Sequence, residues 1–322
     1  MGNEPQAHSR PARLAIVGTG NVGATFAYAA LLDGLASEIV LIDANRAKAE
    51  GEAMDLNHTV PFTHPTKVWA GDYPDCAGAA VTVLAAGSNQ RPGETRLDLV
   101  KKNIAIWSEI VPQIARHNPE GILLVATNPV DILSYAAWKL SGLPCQRVIG
   151  SGTILDTSRF RYLLSQHFGV DARSVHAFII GEHGDSEVPV WSSANIAGMR
   201  LPQFCHAQGI AYDQPAMESI FLQTRDAAGE IIKRKGATYY AVAAGLMRIT
   251  QAILRDQSTV LSVSSLIQDY CGLDDVYFSL PAVIDRRGVG KVLRLELSGE
   301  EAERLRHSAE ILKATIQSLK LN

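Results

Sequence analysis

The chain has 322 residues, 47% of them hydrophobic, and a formal net charge of −3 at pH 7, as expected for a globular protein with more than one core. This charge, with no dense Lys/Arg stripe, argues against nucleic-acid binding, and no apolar run approaches the roughly 18 residues of a membrane span. Met1 to Pro11 lack the apolar segment of a signal peptide and four cysteines form no CxxC pair, so we expect a cytoplasmic protein without disulfides or a metal site.

The first half of the chain alternates short apolar strands with amphipathic helices. Its pattern predicts, in chain order, a strand at Arg13–Val17, a helix at Val22–Leu35, a strand at Glu38–Ile42, a helix at Arg46–His58, a strand at Val81–Ala85, a helix at Arg96–Arg116 and a strand at Ile122–Ala126. Such alternation is typical of a parallel sheet, because parallel strands need crossover helices and are buried on both faces. We therefore expect a Rossmann-type doubly wound parallel sheet over residues 12–150, after a flexible extension over residues 1–11.

Beyond Gly150 the pattern changes to a mixture of β segments and helices. The predicted elements are a helix at Asp156–Phe168, a β run at Val175–Ile180, helices at Asp226–Lys233 and Tyr239–Leu254, strands at Val260–Leu266 and Val276–Val283, and a final helix at Ser298–Leu321. Ser298 and Glu301 have the spacing of a capping box. Residues 151–322 are thus expected to form an α+β domain that binds the substrate.

A glycine-rich segment, GTGNVG, joins the first strand to the first helix. Gly18 would make the tight turn, Gly20 would admit a pyrophosphate, and Gly23 would let the helix pack on the strand, while the helix N-terminus offers free N–H groups. Asp43 ends the second strand, where a carboxylate would bind a ribose 2′-hydroxyl and repel a 2′-phosphate. The alternative is that Asp43 only caps the following helix. The pattern favours NAD over NADP.

Candidate reactive side chains stand after a strand and at the start of a helix. His183 lies between glycines in IIGEHGD, directly after the β run, where α/β proteins place reactive groups. Asp156 and Arg159 are spaced to share one helix face. Each also has an ordinary explanation, since a histidine is most often a packing or surface residue and an Asp–Arg pair can be a helix cap with a local salt bridge.

Two further segments carry polar residues at the carboxyl edge of the predicted sheet. The sequence Asn128-Pro129-Val130-Asp131 follows a buried strand, at the edge where open α/β sheets bind ligands. The segment from Gln90 to Arg96 follows another strand and contains Pro92-Gly93, which suits a mobile lid that carries an arginine.

Six separated motifs stand in the order that is typical of one family: GTGNVG, LAAGSNQRPGETRLDLVKKN, ATNPVD, GSGTILDTSRFR, IIGEHGDSEVPVW and KGATYY. From about Arg13 to Leu319 the chain resembles the lactate/malate dehydrogenases, and within them the bacterial L-lactate dehydrogenases. The resemblance implies an NAD-dependent oxidoreductase that interconverts pyruvate and L-lactate by hydride transfer, a reaction of glycolysis and fermentation.

The resemblance also implies a role for individual residues. His183 would be the acid/base, Asp156 would orient it and favour its protonated form, and Arg159 would bind the substrate carboxylate through a two-pronged ion pair. Arg96 would stabilise the developing alkoxide, and Asn128 would hydrogen-bond near the reacting oxygen. The residues expected at the substrate are Gln90, Arg96, Asn128, Asp131, Arg159 and Thr238. Those expected around the dinucleotide are Gly18, Gly20, Val22, Gly23, Asp43, Lys48, Tyr73, Gly87, Ser88, Ala126, Thr127, Asn128 and Ser151.

Gln90 is the residue on which the choice between lactate and malate rests. In the malate enzymes of the family an arginine at this position pairs with the second carboxylate of oxaloacetate, and a neutral amide would leave that charge buried and unpaired. A slip of one residue would place Arg91 there instead, but Pro92-Gly93 and the distance to Arg96 fix the register on Gln90. In the malate enzymes this loop also tends to carry a methionine where the present chain has Glu94. The resemblance therefore implies pyruvate, with malate or another 2-hydroxy acid as the alternative.

A function of a different class would be a non-catalytic NAD-binding sensor. Such a protein would be free to lose the reactive side chains, yet His183, Asp156, Arg96 and Arg159 are all present.

Arg161 and His176 suggest regulation. In allosteric bacterial members of the family an arginine and a histidine at these positions bind fructose 1,6-bisphosphate across a subunit interface, which implies this effector and a homotetramer. The alternative is a solvated helix arginine and a packed strand histidine.

Overall fold

The computed structural model describes residues 12–88, 93 and 95–319, and for Arg96 the backbone alone. Within these residues the strands form one nine-stranded sheet and two small sheets. The large sheet has the order β14-β13-β12-β6-β5-β4-β1-β2-β3. Its strands are β1 (Arg13–Val17), β2 (Glu38–Ile42), β3 (Lys67–Ala70), β4 (Ala79–Leu84), β5 (Ile122–Val125), β6 (Val148–Gly150), β12 (Thr259–Ile267), β13 (Val276–Asp285) and β14 (Gly288–Val292).

The first six strands pair in parallel, as the alternating pattern predicts. The helices of the described residues are α1 (Asn21–Leu32), α2 (Arg46–Thr59), α3 (Arg96–His117), α4 (Val130–Ser141), α5 (Ile154–Phe168), α6 (Leu201–Ala207), α7 (Gln214–Lys235), α8 (Tyr240–Leu254) and α9 (Gly299–Ser318). The predicted capping box at the start of α9 is confirmed, because Ser298 accepts a hydrogen bond from the backbone N–H of Glu301, and the Glu301 carboxylate accepts one from Ser298.

Strand β1 shows why the sheet is covered on both faces. Leu14 and Ile16 pack into a core formed with α1, α2 and α8, while Ala15 and Val17 pack into a second core formed with α3 and α4. Successive residues of a strand point to opposite faces, so an uninterrupted apolar strand requires helices on both sides. This doubly wound arrangement is the predicted fold class, and it leaves the carboxyl ends of β1, β4, β5 and β6 at one edge. No helix in the described ranges combines the length and apolarity needed to cross a membrane.

The strands of the second half do not form a separate large sheet. Strands β12, β13 and β14 are antiparallel to one another, and β12 joins β6 where Ser264 stands opposite Gly150. The sheet therefore runs continuously across the point at which the sequence pattern changes.

The predicted β run Val175–Ile180 is wrong as a single strand. The structure has β7 (Val175–His176) in a three-stranded sheet with β10 (Asn195–Ile196) and β11 (Met199–Arg200), whereas β8 (Ile179–Ile180) pairs with β9 (Val188–Pro189). Two side chains of α5 separate β7 from β8. Arg161 donates to the carbonyl oxygen of Ala177, and the hydroxyl of Thr157 accepts from the N–H of Ile179. Backbone groups that would extend one ladder are thus bonded elsewhere.

Other predicted bounds also need correction. Helix α1 ends at Leu32 rather than Leu35, because Gly34 adopts a left-handed conformation with φ of 60°. Helix α7 begins at Gln214 rather than Asp226, and the side chain of Asp213 caps it. The pattern did not predict helix α4 or strands β3 and β6.

Candidate active site

The loops that follow β1, β4, β5 and β6 meet at the carboxyl edge of the sheet. Backbone hydrogen bonds carry the strand pairing past the strand ends: Gly18 donates to Ile42, Ala126 to Leu84 and Ser151 to Val125, at 2.7 to 2.9 Å. Most of the residues expected around the dinucleotide stand in these loops, so the topology brings together segments that are far apart in the sequence.

The glycine loop has the shape that a pyrophosphate needs. A Cβ on Gly18 would lie 2.4 Å from the backbone nitrogen of Ala86, and one on Gly23 would lie 1.9 Å from the carbonyl oxygen of Gly18. Neither position can therefore carry a side chain. A Cβ on Gly20 would meet nothing within 4 Å, so the space beside the N-terminus of α1 is open. Closed packing at the first and third glycines and open space at the second fit a bound phosphate.

Asp43 is held as a carboxylate at the end of β2. Its oxygens accept hydrogen bonds from the N–H and the hydroxyl of Thr19 and from the N–H of Asn45. Partial burial opposes the charge, but these bonds and the nearby Lys48 lower the pKa of Asp43 below its usual range. The capping alternative is wrong, because Asn45 caps α2 by accepting from the N–H of Lys48. An ionised carboxylate at this position suits the ribose hydroxyls of NAD.

Asn103 is a residue at this edge that sequence analysis missed. It is fully buried on α3, accepts a hydrogen bond from the N–H of Ser88 and donates one to the carbonyl oxygen of Asn128. It therefore ties the loop after β4 to the loop after β5. Nearby, a Cβ on Gly87 would lie 2.5 Å from a methyl carbon of Thr127, so these loops touch directly. Asn103 is the last residue of the quoted motif LAAGSNQRPGETRLDLVKKN, but nothing in its spacing indicated that it would join two loops.

His183, Asp156 and Arg159 form one connected group, which we call the trio. The Nδ1 atom of His183 lies 2.5 Å from one carboxylate oxygen of Asp156, and Arg159 donates to the other at 2.8 Å. The Asp156 side chain is 3% exposed, against 13% for Arg159 and 22% for His183. The structure thus brings together two residues of α5 and one of the loop after β8, with the two cations nearer solvent.

The charges of the trio shift its pKa values in opposite directions. Burial opposes the charged imidazolium, but the carboxyl group of Asp156, with smaller contributions from Asp131 and Glu187, outweighs burial and raises the pKa of His183 to about 9. Burial also opposes the Asp156 charge, yet His183 and Arg159 lower the pKa of Asp156 below its ordinary value. At neutral pH the trio therefore holds a protonated histidine and an ionised aspartate.

Asp131 supports the loop that carries His183. Its carboxylate accepts a hydrogen bond of 2.7 Å from the backbone N–H of His183, and the side chain of Ser264 also favours its charge. Burial raises the pKa of Asp131 to about 6. Asp131 thus binds the histidine backbone, whereas the resemblance implied contact with the substrate.

The remaining predicted site residues lie at several other positions of the fold. Asn128 is exposed at the end of β5, and Thr238 lies between α7 and α8 with no hydrogen bond to the trio in the described part of the chain. Tyr73 lies on the turn after β3, partly buried and within electrostatic reach of Asp43. Gln90, the side chain of Arg96 and the extension over residues 1–11 lie outside the described residues.

Arg161 and His176 lie on neighbouring segments. Arg161 stacks over the ring of Phe178, and burial lowers the pKa of its guanidinium. Arg161 donates a hydrogen bond to Ala177, the residue that follows His176. His176 itself is exposed on β7. Arg161 also lines a cavity of 360 Å³ with Arg173 and Arg248; His176 is not among its lining residues.

Comparisons with known proteins show which family the chain resembles. Residues 12–150 match the NAD-binding domain of lactate/malate dehydrogenases, and residues 153–321 match the α/β C-terminal domain of the same family. An L-lactate dehydrogenase of Priestia megaterium is 55% identical over 303 residues, 94% of this chain and 95% of that protein. A probable L-lactate dehydrogenase of Schizosaccharomyces pombe is 52% identical over 96% of this chain and 94% of its own length. A ligand-bound crystal structure of the minor L-lactate dehydrogenase of Enterococcus mundtii superimposes with a TM-score of 0.94 at 41% identity, over 97% of this chain and 99% of that one.

Proposed function

Because this chain belongs to the lactate/malate dehydrogenase family of NAD-dependent oxidoreductases, we propose that it interconverts pyruvate and L-lactate with His183 as the acid/base. The observation that carries the proposal is the trio. A protonated imidazole, fixed by a buried carboxylate, stands beside an arginine that can bind a carboxylate. Relatives named L-lactate dehydrogenases favour lactate over other 2-hydroxy acids.

Each residue of the trio has a distinct part in this reaction. Asp156 occupies Nδ1 of His183, so Nε2 is the nitrogen left to give a proton to the keto oxygen of pyruvate and to take one from the hydroxyl of lactate. Arg159 binds Asp156 through Nη1 and has further N–H groups for the substrate carboxylate. The open space at Gly20 and the Asp43 carboxylate would hold NAD, which supplies or accepts the hydride when bound.

The proposal is tested by NADH oxidation with pyruvate, oxaloacetate and longer 2-keto acids. We expect pyruvate to give the highest kcat/KM. Faster turnover of oxaloacetate would establish the malate alternative, and NADH binding without turnover of any keto acid would establish a non-catalytic sensor.

The pH dependence of the two directions should be opposite. Pyruvate reduction needs protonated His183, so its kcat/KM should fall as pH rises through about 9, the raised pKa of this residue. Lactate oxidation needs the neutral imidazole, so its kcat/KM should rise over the same range. Rate measurements in both directions from about pH 6 to pH 10 give the midpoint. A midpoint near the unperturbed value of about 6.5 would contradict the role given to Asp156.

We also propose that the protein is a homotetramer activated by fructose 1,6-bisphosphate through Arg161 and His176. A guanidinium and an exposed imidazole on neighbouring segments suit a sugar bisphosphate, because phosphate accepts the forked donors of arginine and favours protonated histidine. Helix α5 carries Arg161 and also the trio residues Asp156 and Arg159. Movement of this helix at an interface would therefore reach the substrate site.

Fructose 1,6-bisphosphate should lower the pyruvate concentration for half-saturation in the parent and leave it unchanged in Arg161→Gln/His176→Gln. The physical reason is that the effector binds one quaternary state more tightly than the other. Saturation curves near neutral pH measure the effect, and Arg286→Gln, an exposed arginine at another site, is the control that should respond like the parent. A parent that neither responds to the effector nor binds it in a calorimetric titration would contradict the proposal.

A further inference from the structure

Glu187 is a buried carboxyl residue to which the reaction described above gives no role. It ends the loop between β8 and β9, where its N–H donates to the carbonyl oxygen of Gly184 and turns the chain back toward His183. The residue is 6% exposed. One of its carboxyl oxygens is buried without a hydrogen-bond partner in the described residues. A buried polar group without a partner is costly, and its cost is greatest if it is charged.

The residues with the strongest electrostatic influence on Glu187 belong to the trio. Burial and the negative charge of Asp156 raise the pKa of Glu187 to about 9, against the opposing influence of His183 and Arg159. The interaction is mutual, since the carboxyl of Glu187 also favours protonation of His183. Two buried groups, one acidic and one basic, therefore titrate in the same pH range and influence each other.

Glu187 lines a cleft of 900 Å³ together with the other charged residues that face it. On its own loop the cleft has Asp185, and on α7 it has Glu218 and Arg225. On α9 it has Glu300, Glu303, Arg304, Arg306, His307 and Glu310. Arg225 attracts Glu187 but forms its ion pair with Asp226, at 2.9 Å. Glu187 therefore has no ion-pair partner in the described residues, and a proton is the available means of neutralising it.

We propose that Glu187 is a positioning residue that, through its buried carboxyl beside Asp156 and His183, sets how tightly the imidazole holds its proton. This inference rests on the acid/base role proposed for His183. Near neutral pH the carboxyl of Glu187 is uncharged, so the buried carboxylates that face His183 are Asp156, at Nδ1, and Asp131, at the backbone N–H. As pH rises, Glu187 loses its proton, and its new charge stabilises the imidazolium and delays loss of the acid. The residue thus extends pyruvate reduction toward alkaline pH.

The test is the alkaline limb of pyruvate reduction in Glu187→Gln. Glutamine has nearly the shape of the protonated acid but cannot ionise, so the alkaline midpoint of kcat/KM should move down by about one pH unit. Glu218→Gln removes an exposed carboxylate of the same cleft and should keep the parent midpoint. A Glu187→Gln midpoint equal to those of the parent and Glu218→Gln overturns the inference. If the glutamine variant does not fold, Glu187→Asp decides, because its shorter stem withdraws the carboxyl; an unchanged midpoint overturns the inference there too.

A second readout does not depend on turnover. The folded pKa of Glu187, about 9, lies above its ordinary value of 4.5, so its contribution to the free energy of unfolding falls as pH rises between these values. Glutamine has no such dependence. The Tm of Glu187→Gln minus the Tm of the parent should therefore become more positive as pH rises through this window. A difference that stays constant would show that Glu187 does not hold its proton in the folded protein. A parent that fails to oxidise NADH with pyruvate would instead refute the proposed function, while the Tm comparison would still report on Glu187.

Discussion

His183→Ala should slow pyruvate reduction by about two to four orders of magnitude and leave the affinity for NADH largely intact. The imidazole is the group of the trio that can exchange a proton near neutral pH, since Asp156 is held ionised and arginine keeps its proton. The glycine loop follows β1 and Asp43 follows β2, whereas His183 follows β8, so the substitution changes none of the residues expected at the dinucleotide. Steady-state kinetics give the loss of rate, and NADH fluorescence titration gives the affinity.

The control for this variant is His206→Ala, which removes an exposed histidine of α6 and should keep parent kinetics. Near-normal turnover of His183→Ala would show that another group supplies the proton. A parallel loss of NADH affinity would show instead that the substitution disturbs the cofactor site.

Gln90→Arg should shift the substrate preference toward oxaloacetate, raising kcat/KM for oxaloacetate and lowering it for pyruvate. The resemblance places residue 90 against the group that distinguishes the two substrates. A guanidinium there has a partner only when the substrate carries a second carboxylate, and with pyruvate it is left unpaired in a closed site. Close charge pairs of this kind are worth about 2 to 5 kcal/mol, so the ratio of the two kcat/KM values should change by at least about 30-fold.

Gln208→Arg adds the same charge to an exposed site on another surface and should leave the ratio unchanged. The ratio comes from parallel assays with pyruvate and oxaloacetate. If Gln90→Arg also leaves it unchanged, the register that assigns substrate choice to Gln90 is wrong.

The elements that sequence analysis predicted best are those whose signals are local. Strands β1 and β2, with GTGNVG between them, are recognised from a short apolar run, a glycine turn and a helix start that all lie within one unit. The capping box of Ser298 and Glu301 also depends only on neighbouring residues, and it was confirmed. Asp156 and Arg159 share a helix turn, so their pairing follows from spacing, but the approach of His183 does not.

The errors arise where distant residues decide the outcome. The run Val175–Ile180 is suitable for one strand, and side chains of α5 divide it. Helix α4 is a different kind of error, because its sequence does carry a helical apolar pattern and its start was interpreted only as part of a ligand-binding edge. Asn103 is ordinary in sequence, because its role depends on two loops that only the folded sheet brings together. Glu187 was missed for the same reason, since its burial depends on the turn after β8.

The sharing of Asp156 between His183 and Arg159 limits how this active site can diverge. One carboxylate gives an oxygen to the group proposed to move the proton and the other oxygen to the group proposed to bind the substrate carboxylate. A substitution at residue 156 would therefore alter acid strength and substrate affinity in a single step. New specificities are reached more readily through residues outside this shared contact, so the chemistry can stay fixed while the choice of substrate drifts.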